Sequence, residues 1–251
     1  MKSILLALQF LSIIPVKFSR VSEKEIANAM IYFPLAGLLL GLILTGENYF
    51  LLFLNFPQLT ISIILVVSLV ALTGGMHLDG LSDTADAFLS GRPKEEILKI
   101  MRDPHLGVMG ILGLISVILL KIGLLYSVAG SIKTSALLLM CVLSRWSAVF
   151  AMFLFPYARN EGKAKAFIQG MNLKIFILST IIALVCAFMI WQLKGLFIIT
   201  IVATSAYITG KFINNKIGGI TGDTLGAINE LTEVIILFSI CVIERNGLCI
   251  I

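Results

Sequence analysis

The chain has 251 residues, of which 59% are hydrophobic and 13% charged, with a formal net charge of +5 and a mean hydropathy of +1.03. A water-soluble domain carries about a quarter charged residues, so the composition excludes a soluble globular enzyme and specifies a protein that crosses a membrane several times. The four cysteines, Cys141, Cys186, Cys241 and Cys249, lack CxxC spacing and read as small hydrophobes, neither a disulfide framework nor a metal site.

In chain order, residues 1–16 read as a short apolar helix halted at Pro15 and followed by Lys17, Arg20 and Lys24. That pattern predicts an interfacial segment over residues 1–24 rather than a cleaved signal peptide, because no small-x-small cleavage site follows. Spans of about 20 apolar residues are expected over 27–46 (extended toward 54), 60–75, 108–129, 134–156, 175–193, 196–212 and 225–243. The expected fold is therefore all-α: a single polytopic membrane domain over 1–251, a bundle of about seven transmembrane helices with an N-terminal interfacial helix. With the N-terminus inside, the cytoplasmic segments hold 14 of the 19 Lys and Arg. Lys133, Lys194 and Arg245 fall outside, while Lys121 and Arg145 fall within spans. This satisfies the positive-inside rule. The basic charge thus orients the chain and binds anions locally; it is not a nucleic-acid patch.

Four constellations depart from the apolar background. The first opens a cytoplasmic loop over 76–107, where Asp79, Asp83 and Asp86 are spaced four and three apart on one helical face. Three carboxylates that close need a cation, and oxygen-only ligands favour Mg²⁺. His77 precedes them as a packing or hydrogen-bonding partner. In the second, Pro93 and two acids start a short amphipathic helix, after which Arg102 and His105 suit a phosphate and Asp103 a metal or Arg102. The third is Arg145, an intramembrane charge that requires a partner: a cytoplasmic acid, a substrate phosphate or a structural ion pair. The fourth lies in 214–233, where a glycine-rich loop leads into Asp223, Glu230 and Glu233, a second carboxylate stripe entering from the same side.

These residues resemble the cobalamin synthase (adenosylcobinamide-GDP ribazoletransferase) family. The resemblance runs nearly end to end, through Leu8-Gln-Phe-Leu-Ser-Ile-Ile-Pro-Val16, Tyr32-Phe-Pro-Leu-Ala-Gly37 and Gly74-Gly-Met-His-Leu-Asp-Gly-Leu-Ser-Asp-Thr-Ala-Asp86. It continues through Met101-Arg-Asp103, Ser144-Arg-Trp146, Pro156-Tyr-Ala-Arg159 and Thr221-Gly-Asp-Thr-Leu-Gly-Ala227 with Asn229-Glu-Leu-Thr-Glu233. It implies joining of adenosylcobinamide-GDP to α-ribazole or its 5′-phosphate with release of GMP, requiring Mg²⁺. The chain is expected in the cell membrane, with the active site on the cytoplasmic face by the Lys and Arg distribution. The implied partners are these two substrates and the lipid bilayer, with a homo-oligomer left open. On this reading Asp79, Asp83 and Asp86 hold the metal, and Asp223, Asp86 and Arg145 are catalytic. His77, Arg102, Asp103, His105, Glu230 and Glu233 contact substrate. Two positions depart from the family's usual pattern: Ala87 stands where Gly is common, and Pro104-His105 where many members have Ser-Arg. A CDP-alcohol-type phosphotransferase is the alternative, but its Asp-x-x-Asp-Gly-x-x-Ala-Arg pattern is missing. A cation-coupled transporter fits less well, because the acids gather at one face and no repeat is visible.

Overall fold

The computed structural model describes residues 2–16, 21–159, 161–162 and 164–245. Lys17, Arg20, Lys163 and Cys249 lie outside the described residues. The described residues are helical, with one isolated parallel bridge between Tyr157 and Ile220.

The elements are α1 (Lys2–Leu11), α2 (Glu23–Ala29), a 3₁₀ turn (Met30–Tyr32) and α3 (Phe33–Phe53), then α4 (Gln58–Thr73), α5 (Met76–Leu89) and α6 (Lys94–Ile100). After these come α7 (Val108–Ser127), a second 3₁₀ turn (Gly130–Ile132), α8 (Lys133–Leu154), α9 (Lys165–Gly170), α10 (Leu173–Ile217) and α11 (Gly222–Arg245). Five helical stretches are long and apolar enough to cross a membrane, and α4 with α5 makes a sixth if that pair, bent by 91°, is one broken span.

One of the five stretches holds two passes. A straight helix over the 45 residues of α10 would run for about 67 Å, twice the ~30 Å hydrocarbon thickness. It breaks at Trp191 and Gln192, whose backbone angles are not helical (Gln192 φ 47°, ψ −134°). Gly195 then lies directly against the carbonyl of Ala187, a contact impossible for residues eight apart on one helix. Both ends of α10 return to the same end of α8: Phe176 stacks on Phe153 at 4.2 Å, and Gly210 lies against the Phe155 ring. The two passes expected over 175–193 and 196–212 are therefore a helical hairpin.

The bend between α4 and α5 also has a local cause. Gly74 and Gly75 both adopt left-handed backbone (φ 62° and 70°), which ends α4 and re-aims the chain.

The centre of the bundle is the α3–α8 pair, in close approach where Gly37 meets the backbone of Cys141. One core surrounds Leu40, Leu44, Leu137, Met140 and Val142 at the far end of the bundle. A second, at the other end, joins α1, α2 and α9 to α3, α8 and α11 through Leu11, Met30, Phe33, Phe167 and Ile228. The N-terminal helix expected at the membrane interface thus buries Leu6, Ala7 and Leu11 against protein. It is further tied down by the Lys2–Glu25 ion pair (2.9 Å) and by the Ile13 amide, which donates to the Leu72 carbonyl (2.8 Å).

Candidate active site

Of the four constellations, the structure brings two together. Helix α5 crosses the start of α11 at glycines: a Cβ on Gly80 would fall 2.6 Å from the Asp223 carbonyl oxygen, and one on Gly226 would fall 3.0 Å from that of His77. The Gly in His77-Leu-Asp-Gly80 therefore has a mechanical purpose, since it lets the helix bearing Asp79 touch the helix bearing Asp223. The start of α11 is itself held by reciprocal capping. The Thr224 amide donates to the Thr221 hydroxyl (3.2 Å), and the Thr221 amide donates to that of Thr224 (2.8 Å). Asp223 is left in the first turn, where it lines a cavity.

The segment after α8 completes the wall. The Ala158 amide donates to the Ile220 carbonyl (2.9 Å) and the Ile220 amide to that of Pro156 (2.8 Å). This short bridge swings Arg159 onto Asp223, where its Nη1 meets Oδ2 at 2.8 Å. The Nε and Nη2 of Arg159 are buried and have no hydrogen-bond partner. Arg145 has the same two nitrogens without a partner, but only Arg159 lines a cavity, where its buried donors can meet an anion; a buried donor left unsatisfied costs about 1–3 kcal/mol. Asp79, Asp223, Arg159, Tyr157 and His77 line a common cavity of about 330 Å³. Arg159 also borders a neighbouring groove with Lys99 and Arg102. Burial raises the Tyr157 phenol above its usual range, against the pull of the Arg159 and Arg102 charges.

The carboxylates divide into unlike roles. Asp79 is exposed at the cavity, and Asp83 is half-buried within electrostatic reach of Asp79, Asp223, Asp86 and Arg159. Asp86 does different work: Oδ2 accepts from the Gly107 amide and Oδ1 from the Gly110 amide, both at 2.8 Å. It caps the N-terminus of α7 across 21 residues of chain, a bond pattern that the metal and proton-accepting assignments did not include. Among the described residues no group of three carboxylate, imidazole or thiol side chains converges as a ready-made metal cage. Asp79 and Asp83 nevertheless suit Mg²⁺, which is commonly held by one or two carboxylates together with substrate phosphates.

The remaining expected residues lie elsewhere. Glu230, Glu233, Lys121 and Arg145 form an ion-pair cluster inside the bundle, their side chains between 0 and 6% exposed. Lys121 of α7 pairs with Glu230 (2.6 Å) and Glu233, Arg145 of α8 pairs with Glu233, and the Asn229 amide donates to Glu233 at 3.1 Å. Two cations and two anions neutralise one another and bolt α7, α8 and α11 together. Arg145, Glu230 and Glu233 are thus placed in a buried ion-pair cluster and do not line the cavity. His105 and Asp103 are exposed on the turn before α7 and bond to each other (2.6 Å), which holds the Asp103 carboxyl below its ordinary range. Neither lines the cavity. Arg159 is the cation that lines the cavity, and Arg102 stands with it in the neighbouring groove, to which His105 does not contribute. Ala87 is buried in the core beside the site. Arg159 was the residue missed: Pro156-Tyr-Ala-Arg159 was visible as a motif, but its arginine reads as one more orienting charge until the bridge to Ile220 is seen.

The profile of the family described as Cobalamin-5-phosphate synthase (CobS) matches residues 3–241. Similar curated proteins include the adenosylcobinamide-GDP ribazoletransferase of Desulforamulus reducens, 36% identical over 238 residues and covering 95% of each chain. The enzyme of that name from Caldanaerobacter subterraneus subsp. tengcongensis is 37% identical, covering 96% of this chain and 98% of its own. That from Acetivibrio thermocellus is 37% identical, covering 94% and 96%. No solved structure matches.

Proposed function

The chain belongs to the cobalamin-5-phosphate synthase family, and from that premise we propose that it performs its phosphoryl transfer at the Asp79–Asp223–Arg159 cavity. The reaction joins adenosylcobinamide-GDP to α-ribazole or its 5′-phosphate and releases GMP. A hydroxyl oxygen of the ribazole forms a bond to the phosphorus that stays with the corrinoid. The phosphoanhydride bond to GMP breaks, and the hydroxyl proton passes to a carboxylate.

The observation that carries this reading is Arg159, anchored on Asp223 by one nitrogen while two others stay buried and unpartnered on the cavity wall. Its planar fork matches a phosphate bidentately. Transfer of this kind depends on positioning and on neutralising equatorial oxygens, which a fixed guanidinium supplies without reorganisation. Arg102 and Lys99 line the groove, together with Glu95 and Glu161, and offer cations to the diphosphate arm there. Asp223 presents Oδ2 to Arg159, leaving Oδ1 to accept the hydroxyl proton. Asp79 and Asp83 would hold Mg²⁺, which when bound would offset the charge of the diphosphate. The site belongs on the cytoplasmic face by the distribution of Lys and Arg.

The test is GMP release by the full-length protein in detergent, given adenosylcobinamide-GDP and α-ribazole, before and after chelation. The expected result is release that depends on both substrates, stops on chelation and returns with Mg²⁺. Absence of GMP from a folded preparation supplied with Mg²⁺ overturns the reading, and release unaffected by chelation overturns its metal component.

A further inference from the structure

The cavity has two unlike halves, and phosphoryl chemistry uses only one. Besides Asp79, Asp223 and Arg159 the lining includes Phe10 from α1, Phe33 from the start of α3 and Phe167 from α9, with Leu11, Met152 and Leu225 among the other apolar residues. The Phe10 and Phe167 centroids are 4.3 Å apart, Phe33 and Phe167 5.8 Å, and Phe10 and Phe33 5.9 Å. Three rings carried by three separate elements converge beside the polar site; Phe33 and Phe167 are also buried core residues of this end of the bundle. Among the described residues this is also where α1 and α9 meet the bundle.

We propose that this aromatic half seats the flat heterocyclic base of the ribazole substrate, an inference that rests on the phosphoryl-transfer reading. Size excludes the corrin macrocycle, and the guanosine of the GDP arm is the competing occupant that the two KM values separate. A space of about 330 Å³ lies near the lower end of small-molecule sites; it admits one nucleoside and cannot enclose a corrin macrocycle. Chemistry agrees, because aromatic side chains accept a π-face by offset or edge-to-face packing and tolerate variation in the ring they receive. Position agrees as well. With the base against Phe10, Phe33 and Phe167, the ribose attached to it points toward Asp223 and Arg159, where its hydroxyl must react. The corrinoid stays outside and extends its diphosphate along the groove of Lys99 and Arg102. Helix α1 is then a wall of the nucleoside site, held in place by the bonds of Lys2 to Glu25 and of Ile13 to Leu72.

The experiment compares Phe167→Ala with Ala148→Phe, the second adding bulk at the cavity wall without removing packing. GMP release by the full-length protein in detergent is measured with each substrate varied in turn, and unfolding temperature with and without α-ribazole. In both variants KM for α-ribazole rises roughly tenfold or more, while KM for adenosylcobinamide-GDP stays within about twofold and α-ribazole no longer raises the unfolding temperature. Ala148→Phe also discriminates against ribazoles with the bulkier, ring-substituted bases. Folded variants with unchanged KM for α-ribazole, or with both KM values raised alike, overturn the assignment. If Phe167→Ala fails to fold, Ala148→Phe decides alone. Wild-type protein that releases no GMP overturns the underlying reading instead, so the two failures are distinguishable.

Discussion

Replacing Gly80 with alanine drives α5 away from α11 at the point where the site is assembled. The new Cβ would stand 2.6 Å from the Asp223 carbonyl oxygen and 2.9 Å from its Cα. That falls about 0.8 Å short of the 3.4 Å at which ordinary contact begins, and the obstruction is backbone, which cannot rotate aside. Asp79 and Asp223 must therefore separate by most of that distance. Misplacing a reacting group by about 1 Å costs on the order of 10²-fold in rate, so kcat for GMP release should fall by roughly 30- to 100-fold. Stability should change far less: overpacking costs about 1–3 kcal/mol, while alanine gains up to ~1 kcal/mol over glycine within a helix. Gly123→Ala on α7, with nothing within 4 Å of its new Cβ, supplies the control and should leave activity unchanged. Steady-state GMP release and thermal unfolding in the same detergent read both quantities. A folded Gly80→Ala protein with kcat within about threefold of wild type would refute the claim that this helix crossing sets the site.

Asp83→Asn should abolish transfer while shifting the unfolding temperature little, whereas Asp86→Ala should lower stability by about 1 kcal/mol through the lost α7 cap and retain measurable transfer. Parallel kinetic and thermal measurements on the two variants separate these roles. Glu233→Gln leaves Arg145 and Lys121 facing Glu230 alone; breaking a buried pair costs about 3–5 kcal/mol, so the unfolding temperature should drop by roughly 10 °C, and a wild-type value would show that the cluster does not hold the bundle. His105→Ala should return the Asp103 carboxyl upward to its ordinary range without changing its ionised state at neutral pH. GMP release at pH 7 should stay within about twofold, because an exposed ion pair contributes little.

What was legible in the sequence follows the range over which each interaction acts. The apolar runs reveal spans because burial in lipid is a property of each segment, and even the reversal inside α10 was marked by the weak hydropathy between its two limbs. The stripe of Asp79, Asp83 and Asp86 was equally legible, since helical periodicity alone puts three carboxylates on one face. Their division of labour was not: Asp86 takes its partners from Gly107 and Gly110, which only the folded turn brings near. Intramembrane Arg145 announced its need for a partner, but the choice of Glu233, 88 residues on, depends on how α8 meets α11. Arg159 acquires its role from a two-bond bridge to Ile220, an interaction without periodicity or composition to betray it. His105, adjacent in sequence to the right chemistry, is turned away by two residues of loop geometry.

The central claim is that Asp79, Asp223 and Arg159 form the transfer site, and its most direct measurement is GMP release by Arg159→Met in a preparation with wild-type unfolding temperature. The account predicts a fall in kcat/KM of roughly 10²-fold or more, with Arg159→Lys recovering part of it as a point charge without the fork. Release within about threefold of wild type by the folded Arg159→Met protein would contradict the account.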